Sequence, residues 1–312
     1  KDTKDMLMER PIPLYVGSGS PLSNVGTLTN QGIELEVGYK LSVDKVNLSF
    51  LANASYVKNE IKNLGNQTGY IDKESLPTLG TVSRNENGYP IGYFFGYKAI
   101  GVFQTQEEID SYISPATGKP IQPNAAPGDT KFEDLNGDGV ISDDNEDRTM
   151  IGKPNPDWMV GLTVAADWNG FDLSAFFQGS FGADVFDALR RYELAAVNYT
   201  SDALERWTGP GTSNSMPRIV LGDTPKNFRP STLLVHDASF LRLRNLQVGY
   251  TLPAQLTRKA YIQRLRFYAS FDNLLTITGY KGMDPEIGST MGIDKGVYPQ
   301  ARVYTFGLNL TF

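Results

Sequence analysis

Along much of this chain every second residue is apolar. Ile33, Leu35, Val37, Tyr39 and Leu41 alternate with Glu34, Glu36, Gly38, Lys40 and Ser42. Val46, Leu48, Phe50, Ala52, Ala54 and Tyr56 alternate with Asn47, Ser49, Leu51, Asn53 and Ser55. The same period returns at Val160–Trp168, Phe171–Phe177, Leu246–Leu252, Leu265–Phe271 and Tyr304–Phe312. A period of two places alternate side chains on opposite faces of a β-strand. Seven strands are therefore predicted, each with one apolar and one small or polar face.

Two architectures share this pattern. In a soluble sandwich the apolar faces meet in a core. In an outer-membrane barrel they face lipid and the polar faces line a lumen. Each run covers ~9–12 residues, against the usual 5–6 of soluble strands. Bulky groups fill nearly every apolar position. Both features favour the membrane reading. No stretch approaches the ~18 apolar residues of a spanning helix, but spanning strands need only ~9–11.

Connection lengths add a topological argument. Strands 33–42 and 46–57 join around Asp44, strands 158–168 and 171–182 at Asn169-Gly170, and strands 241–252 and 264–274 through a link with Pro253. Asn-Gly is a strong two-residue hairpin signal. The intervening stretches 58–157, 183–239 and 275–301 are long. Barrels of the outer membrane alternate short periplasmic turns with long outer loops in this way. The parity then requires that Tyr93–Phe103, though strand-like, adds no net crossing, and Phe312 ends on the periplasmic side. Seven strands cannot close a barrel, whose smallest form has eight. The expected fold is an all-β, C-terminal arc of about 7–8 antiparallel strands spanning 1–312, completed by strands from elsewhere. Segment 58–157 and loop 183–239 are expected outside the cell, the latter with a helix over 187–207. The start at Lys1-Asp-Thr-Lys-Asp reads as a processed or partial chain.

Composition narrows the function. The 312 residues carry a net charge of −6, which argues against nucleic acid as a partner. There is no cysteine, so disulfide and thiol chemistry are excluded. The one histidine, His236, removes most histidine-based catalysis and any multi-histidine metal site, and it receives no role. No paired carboxylates, nucleophile elbow or phosphate loop stand out, so an enzyme is not expected.

Two motifs carry candidate chemistry. Asp134-Leu-Asn136-Gly-Asp138-Gly-Val140-Ile-Ser142 matches the start of a calcium loop. Side-chain oxygens at positions 1, 3 and 5, glycine at 6 and a carbonyl at 7 suit a hard cation. Asn145 stands where an EF-hand has glutamate. Asp144, Glu146 and Asp147 lie near, and Asp144 and Asp147 are taken with Val140 and Ser142 to complete a structural Ca²⁺ clip. The alternative is an acidic turn without metal. The second motif is Thr305, Gly307, Leu310 and Phe312, the polar–x–Gly–x–x–apolar–x–aromatic ending of an outer-membrane strand. An edge strand offers free N–H and C=O groups that assembly machinery can pair with. The bland reading is a last strand that happens to end in Phe. Arg190, Arg191, Arg206, Arg242, Arg244, Arg264 and Arg266 could line a lumen or simply be solvated.

Several stretches together resemble the C-terminal third of the SusC/RagA family of TonB-dependent outer-membrane transporters of Bacteroidota. They are Asn30-Gln-Gly-Ile-Glu-Leu, Gly88-Tyr-Pro-Ile-Gly-Tyr-Phe-Phe-Gly-Tyr, Gly101-Val-Phe-Gln-Thr-Gln-Glu-Glu-Ile, Gly128-Asp-Thr-Lys-Phe-Glu-Asp-Leu-Asn-Gly-Asp-Gly and Ile151-Gly-Lys-Pro-Asn-Pro-Asp-Trp. Further on come Gly170-Phe-Asp-Leu-Ser-Ala-Phe-Phe-Gln-Gly, Ser239-Phe-Leu-Arg-Leu-Arg-Asn-Leu-Gln-Val-Gly-Tyr, Asp272-Asn-Leu-Leu-Thr and Gly282-Met-Asp-Pro-Glu. The resemblance implies a 22-stranded barrel in outer-membrane lipid, with a plug driven by TonB. It also implies a SusD-like surface lipoprotein as lid, and oligosaccharides or peptides as cargo. The plug, the TonB contact and most strands are not in this chain, so the remaining N-terminal portion is an expected partner. Extra residues after Asp143 depart from the family and leave the last calcium ligand open. The competing reading is a secreted Ca²⁺-dependent adhesin or glycan-binding β-sandwich.

Overall fold

The structure is a computed structural model that describes residues 1–9, 22–143, 146–189, 192, 194, 197–287 and 291–312. Eight strands form one antiparallel sheet in which each strand pairs with its sequence neighbours. They are β1 (Asp2–Glu9), β2 (Leu22–Val43), β3 (Val46–Asn63) and β4 (Trp158–Trp168). β5 (Phe171–Phe181), β6 (Phe240–Thr251), β7 (Arg264–Thr278) and β8 (Val303–Thr311) complete it. Seven of these are the alternating segments. β1 was not visible as alternation because Asp5 takes φ +56° and the pairing with β2 shifts register around Met6. Each such shift resets which residues share a face.

The register makes the two faces continuous. On one side lie Leu35, Ala54, Val160 and Gly179 as successive cross-strand partners. The row Tyr39, Phe50, Val164, Ala175, Leu246, Phe271 and Tyr304 crosses seven strands. The opposite side carries Glu36, Asn53, Gly161, Gln178 and Arg242 in the same manner. Aromatic groups mark both ends of the apolar side. Trp168 stacks near Phe171, which leans on Tyr250, and Tyr56 meets Trp158 at the other end. At ~3.3 Å per residue and a tilt of ~40°, Trp158 and Trp168 bound a band ~25 Å tall, the height of an outer-membrane barrel's apolar belt.

Among the described residues nothing covers that apolar side. Ile33 is 73% exposed and Phe306 76%. The dry clusters sit instead beyond the long-connection end of the sheet. Val82, Phe94, Phe186, Leu234 and Ile293 form one, and Tyr192, Ala203, Met216 and Phe228 another. A sandwich would bury its sheet face. Here the sheet face is bare while the connections own the core, so the sandwich reading fails.

Turn chemistry matches the sequence. Asp44 (φ +51°) turns β2 into β3, and Asn169 (φ +47°) with Gly170 (φ +89°) turns β4 into β5. Positive φ at both central residues gives the twist that a two-residue hairpin needs. The β6–β7 link is longer and carries a helical turn at Ala254–Thr257. β2 and β3, at 22 and 18 residues, run well past the predicted 33–42 and 46–57. A span needs only ~9–11 residues, so both project beyond it at the long-connection end.

The long connections fold on each other. Tyr93–Tyr97 and Ala99–Val102 join small separate sheets and add no strand to the large one. Arginines interleave with rings to tie these segments together. Arg84 lies 4.0 Å from the Tyr70 ring and 3.6 Å from Phe95, and Arg229 lies 4.7 Å from Tyr97 and 4.9 Å from Phe132. Of the helix expected over 187–207, the described residues show a 3-10 turn at Ser201–Glu205, and Arg190, Arg191 and residues 193, 195 and 196 lie outside the described residues. Asp187 ends a strand instead.

Eight strands would suffice for the smallest barrels. This sheet is nevertheless open, since β1 and β8 stand at its two edges. Unpaired backbone edges facing hydrocarbon cost several kcal/mol per group, so the arc requires further strands.

Candidate functional site

The polar face holds a buried ionic network at its long-connection end. It begins with a backbone irregularity. Between β5 and β6, Phe176 pairs with Asn245 but Phe177 pairs with Leu243, so Arg244 is an extra residue. Between β6 and β7, Leu243 pairs with Leu275 and Asn245 with Asp272, so Asn273 and Leu274 are extra too. Asn273 takes φ +53°, a conformation that asparagine tolerates better than most residues. Bulges re-aim side chains and end regular pairing. Here the two bulges face each other and put Arg242, Arg244 and Asn245 on the polar side.

Arg242 is 2% exposed. Its Nη2 donates to Asp284 Oδ1 at 2.5 Å, its Nη1 to Glu286 Oε2 at 3.1 Å and its Nε to Thr276 at 2.9 Å. Arg244 donates to both Glu286 oxygens at 2.7 and 2.6 Å, to Gln178 at 2.7 Å and to Asn273 at 3.2 Å. Every nitrogen of the two guanidinium groups meets an acceptor, as the buried Arg242 and the half-buried Arg244 require. Asp284 also accepts from the backbone N–H of Glu286 at 2.9 Å and of Gln300 at 3.0 Å. Burial pushes the Asp284 carboxyl up, but those N–H groups and the Arg242 guanidinium outweigh it and hold it below its ordinary 3.8. Four of the stretches quoted above therefore meet here: Ser239–Tyr250, Asp272–Thr276, Gly282–Glu286 and Gly170–Gly179. The arrangement clamps the last long connection onto the sheet. It leaves no free acid or base for chemistry.

Nearer the other end, Arg266 donates to Asp172 at 2.9 and 2.5 Å and to Gln247 at 3.1 Å. Arg242, Arg244 and Arg266 are thus on the polar face as expected, but engaged with carboxylates. Arg206 instead donates to the Ala203 carbonyl, and Arg264 is exposed at the short-turn end. His236 Nε2 lies 3.8 Å from Asp187 Oδ2 in a short outlying strand.

The acidic loop is a nest of side-chain-to-backbone turns. Asp134 accepts from the N–H groups of Gly137 (2.8 Å) and Gly139 (2.9 Å), and Asp138 from Val140 (2.8 Å). Asn136 Oδ1 accepts from the Asp138 N–H at 3.0 Å. Asp147 is fully buried and accepts from Leu135 and Ser142, both at 3.1 Å. Among the described residues no group of three or more acidic or histidine side chains could hold a metal ion. Asp144 lies outside the described residues.

In β8, Thr305 faces Ser270 and Gly307 faces Tyr268 on the polar side. A Cβ on Gly307 would come within 2.6 Å of the Tyr268 ring, so this glycine makes room for a cross-strand aromatic. Leu310 (44%) and Phe312 (77%) are exposed on or beside the apolar side. Asp284, Glu286, Gln178 and Asn273 were not picked out individually from sequence. The adjacent polar pair Arg244-Asn245, breaking the period of two, was the available sign of the bulge.

An open meander with an apolar belt, aromatic girdles and a polar, ion-paired inner face is an arc of a transmembrane β-barrel. No family model matches the chain. TonB-dependent receptor P3 of Formosa agariphila is 32% identical over 99% of this chain and 31% of its own length. TonB-dependent receptor SusC of Bacteroides thetaiotaomicron is 30% identical over 100% of this chain and 29% of its own length. The structure of the RagAB peptide transporter matches with a TM-score of 0.76 at 28% identity, over 100% of this chain and 32% of that one. The chain belongs to the SusC/RagA family of TonB-dependent receptors, outer-membrane β-barrel proteins. It spans about a third of the length of the curated relatives it matches.

Replacing Arg242 by Ala leaves Asp284 charged and buried, at a cost of about 3–5 kcal/mol. Hydrogen exchange on the intact protein should show protection lost over 279–287 while β4 and β5 stay protected. Unchanged exchange there would remove the clamp. The pH dependence has a definite sign. A depressed carboxylate contributes stability that is complete above its ordinary 3.8 and lost as pH falls through its lowered value. Opening of this loop should therefore need pH below 3.8, and opening in mild acid would contradict the assignment.

Proposed function

We propose that this chain is barrel wall and outer loops of an importer that carries oligosaccharides or peptides across the outer membrane. The observation that carries the reading is the continuous apolar belt opposite a polar, ion-paired face. On this reading 1–312 is part of one barrel domain. The short turns face the periplasm, and 58–157 and 183–239 lie outside the cell. Further strands close the wall against β1 and β8. A plug in the rest of the protein couples to TonB, and a SusD-like lipoprotein covers the outer loops. The relatives are named as receptors and a peptide transporter, which supports a role without catalysis. Thr305, Gly307, Leu310 and Phe312 form the assembly signal at the short-turn end.

The test is the company the protein keeps. Affinity capture from solubilised outer membranes should recover the rest of the barrel and a surface lipoprotein. Recovery of a water-soluble monomer in the absence of detergent would overturn the proposal.

The acidic loop enters this proposal as a Ca²⁺ clip built from Asp134, Asn136, Asp138, Val140, Ser142, Asp144 and Asp147. A bound ion would have to win the Asp134 and Asp138 oxygens from the loop's own N–H groups. Metal analysis of the purified protein decides it. Asp134→Ala with Asp138→Ala should lower the calcium content by one ion per chain, and unchanged content would end the metal assignment.

A further inference from the structure

One short-turn-end connection differs from the others. Asp44-Lys45 and Asn169-Gly170 are minimal hairpin turns. Residues 252–263 instead form a raised knuckle, with a helical turn at Ala254–Thr257 and a 3-10 turn at Arg258–Ala260. Only Thr257 is buried in it. Leu256 is 60% exposed and Tyr261 90%. Tyr261 sits at φ +59°, a left-handed conformation that bulky residues rarely adopt. That conformation caps the 3-10 turn, the Tyr261 N–H donating to the Arg258 carbonyl at 3.1 Å.

The charge around it is one-sided. From Ala238 to Phe271 the chain has no carboxylate, although its net charge is −6. Arg242, Arg244 and Arg266 in that stretch are engaged with Asp284, Glu286 and Asp172. Arg258, Lys259 and Arg264 are exposed, and no ion pair is formed by them among the described residues.

Depth supplies the occupant. Phe267 pairs with Tyr250, which contacts Phe171 in the aromatic girdle of the apolar belt. Three residues beyond it, at ~3.3 Å each and a tilt of ~40°, Arg264 stands ~7–8 Å further out. The headgroup layer of a bilayer is roughly that thick on each side. Arg264 itself shares the polar face with Arg266, and the knuckle it closes lies at the depth of lipid phosphates. Basic side chains with exposed Leu and Tyr suit that zone, where apolar bodies reach acyl chains and cations meet phosphate.

We propose that residues 252–263 form a lipid-headgroup site for anionic phospholipid of the periplasmic leaflet, with Arg258 and Lys259 on the phosphates and Leu256 and Tyr261 in the interface. This rests on the orientation given under the proposed function.

The experiment uses the complete transporter with Tyr261→Cys carrying an environment-sensitive fluorophore, and Lys45→Cys as the control turn. The vesicles contain phosphatidylethanolamine with or without phosphatidylglycerol, either lipid bearing a nitroxide near the headgroup. The site predicts stronger lipid quenching at 261 than at 45 and a several-fold preference for phosphatidylglycerol. Each basic group at an anionic surface is worth about fivefold, so Arg258→Gln with Lys259→Gln should abolish that preference. Leu256→Cys serves as the label position if Tyr261→Cys does not fold. Equal quenching at both turns by aqueous iodide, or a lipid preference unchanged in the double variant, would overturn the site. A membrane-impermeant maleimide on intact cells separates the two failures: labelling at 261 from outside would mean that the orientation itself is wrong.

Discussion

Backbone hydrogen bonding in hydrocarbon is the constraint on which this structure depends. Lipid offers no donor or acceptor, so every N–H and C=O in a spanning segment must find its partner within the protein. An antiparallel meander does this with purely local connections, and β2 to β8 follow it strand by strand. The side chains then divide by parity. Once backbone pairing fixes the register, a shift of one residue would move every apolar group to the polar face. The register from Ile33 through Leu310 instead keeps apolar and small residues in continuous rows across the sheet. A membrane barrel keeps water-filled polarity inside and the apolar surface outside, and this arc has that inverted arrangement.

The place where parity breaks is where the sheet acquires its buried network. Arg244 opposite Asn273 and Leu274 is a bulge against a bulge, and it lets three polar residues share one face. Two guanidinium groups there are stable only because Asp284 and Glu286 arrive from the final connection to meet them. Wall and loop are therefore interdependent. The loop supplies the counter-charges, and the wall supplies the donors that order the loop. Elsewhere the connections depend on one another through arginine–ring stacks and small dry clusters, so the region beyond the sheet behaves as a folded body.

Much of this was legible in the chain. The strands at 33–42, 158–168 and 264–274 follow from alternation alone, and Asn169-Gly170 names its own turn. The alternating short and long connections made the membrane reading, and the separate sheets of Tyr93–Tyr97 and Ala99–Val102 agree with the parity they imposed. β1 was not legible because its register shifts hide the period. The partnership of Arg242 with Asp284 was not legible either, since 42 residues separate them and only the folded last connection brings them together. The helix over 187–207 was read from the loose spacing of Leu189, Leu194, Ala195 and Leu204, and within the described part of that stretch a 3-10 turn forms at Ser201–Glu205. The acidic loop shows a general ambiguity: the Asx-rich spacing that suits a cation equally suits capping of its own turns.

The central claim is that the bare apolar face of the sheet is in contact with lipid. The most direct measurement is a single-cysteine scan of β4, residues 158–168, in the complete protein reconstituted in vesicles with nitroxide-labelled lipid. The account predicts a period of two, with labels at Val160, Leu162, Val164 and Ala166 quenched by lipid and labels at Gly161, Thr163 and Ala165 quenched by an aqueous reagent. Loss of that alternation, or shielding of the apolar positions from lipid and water alike, would contradict it.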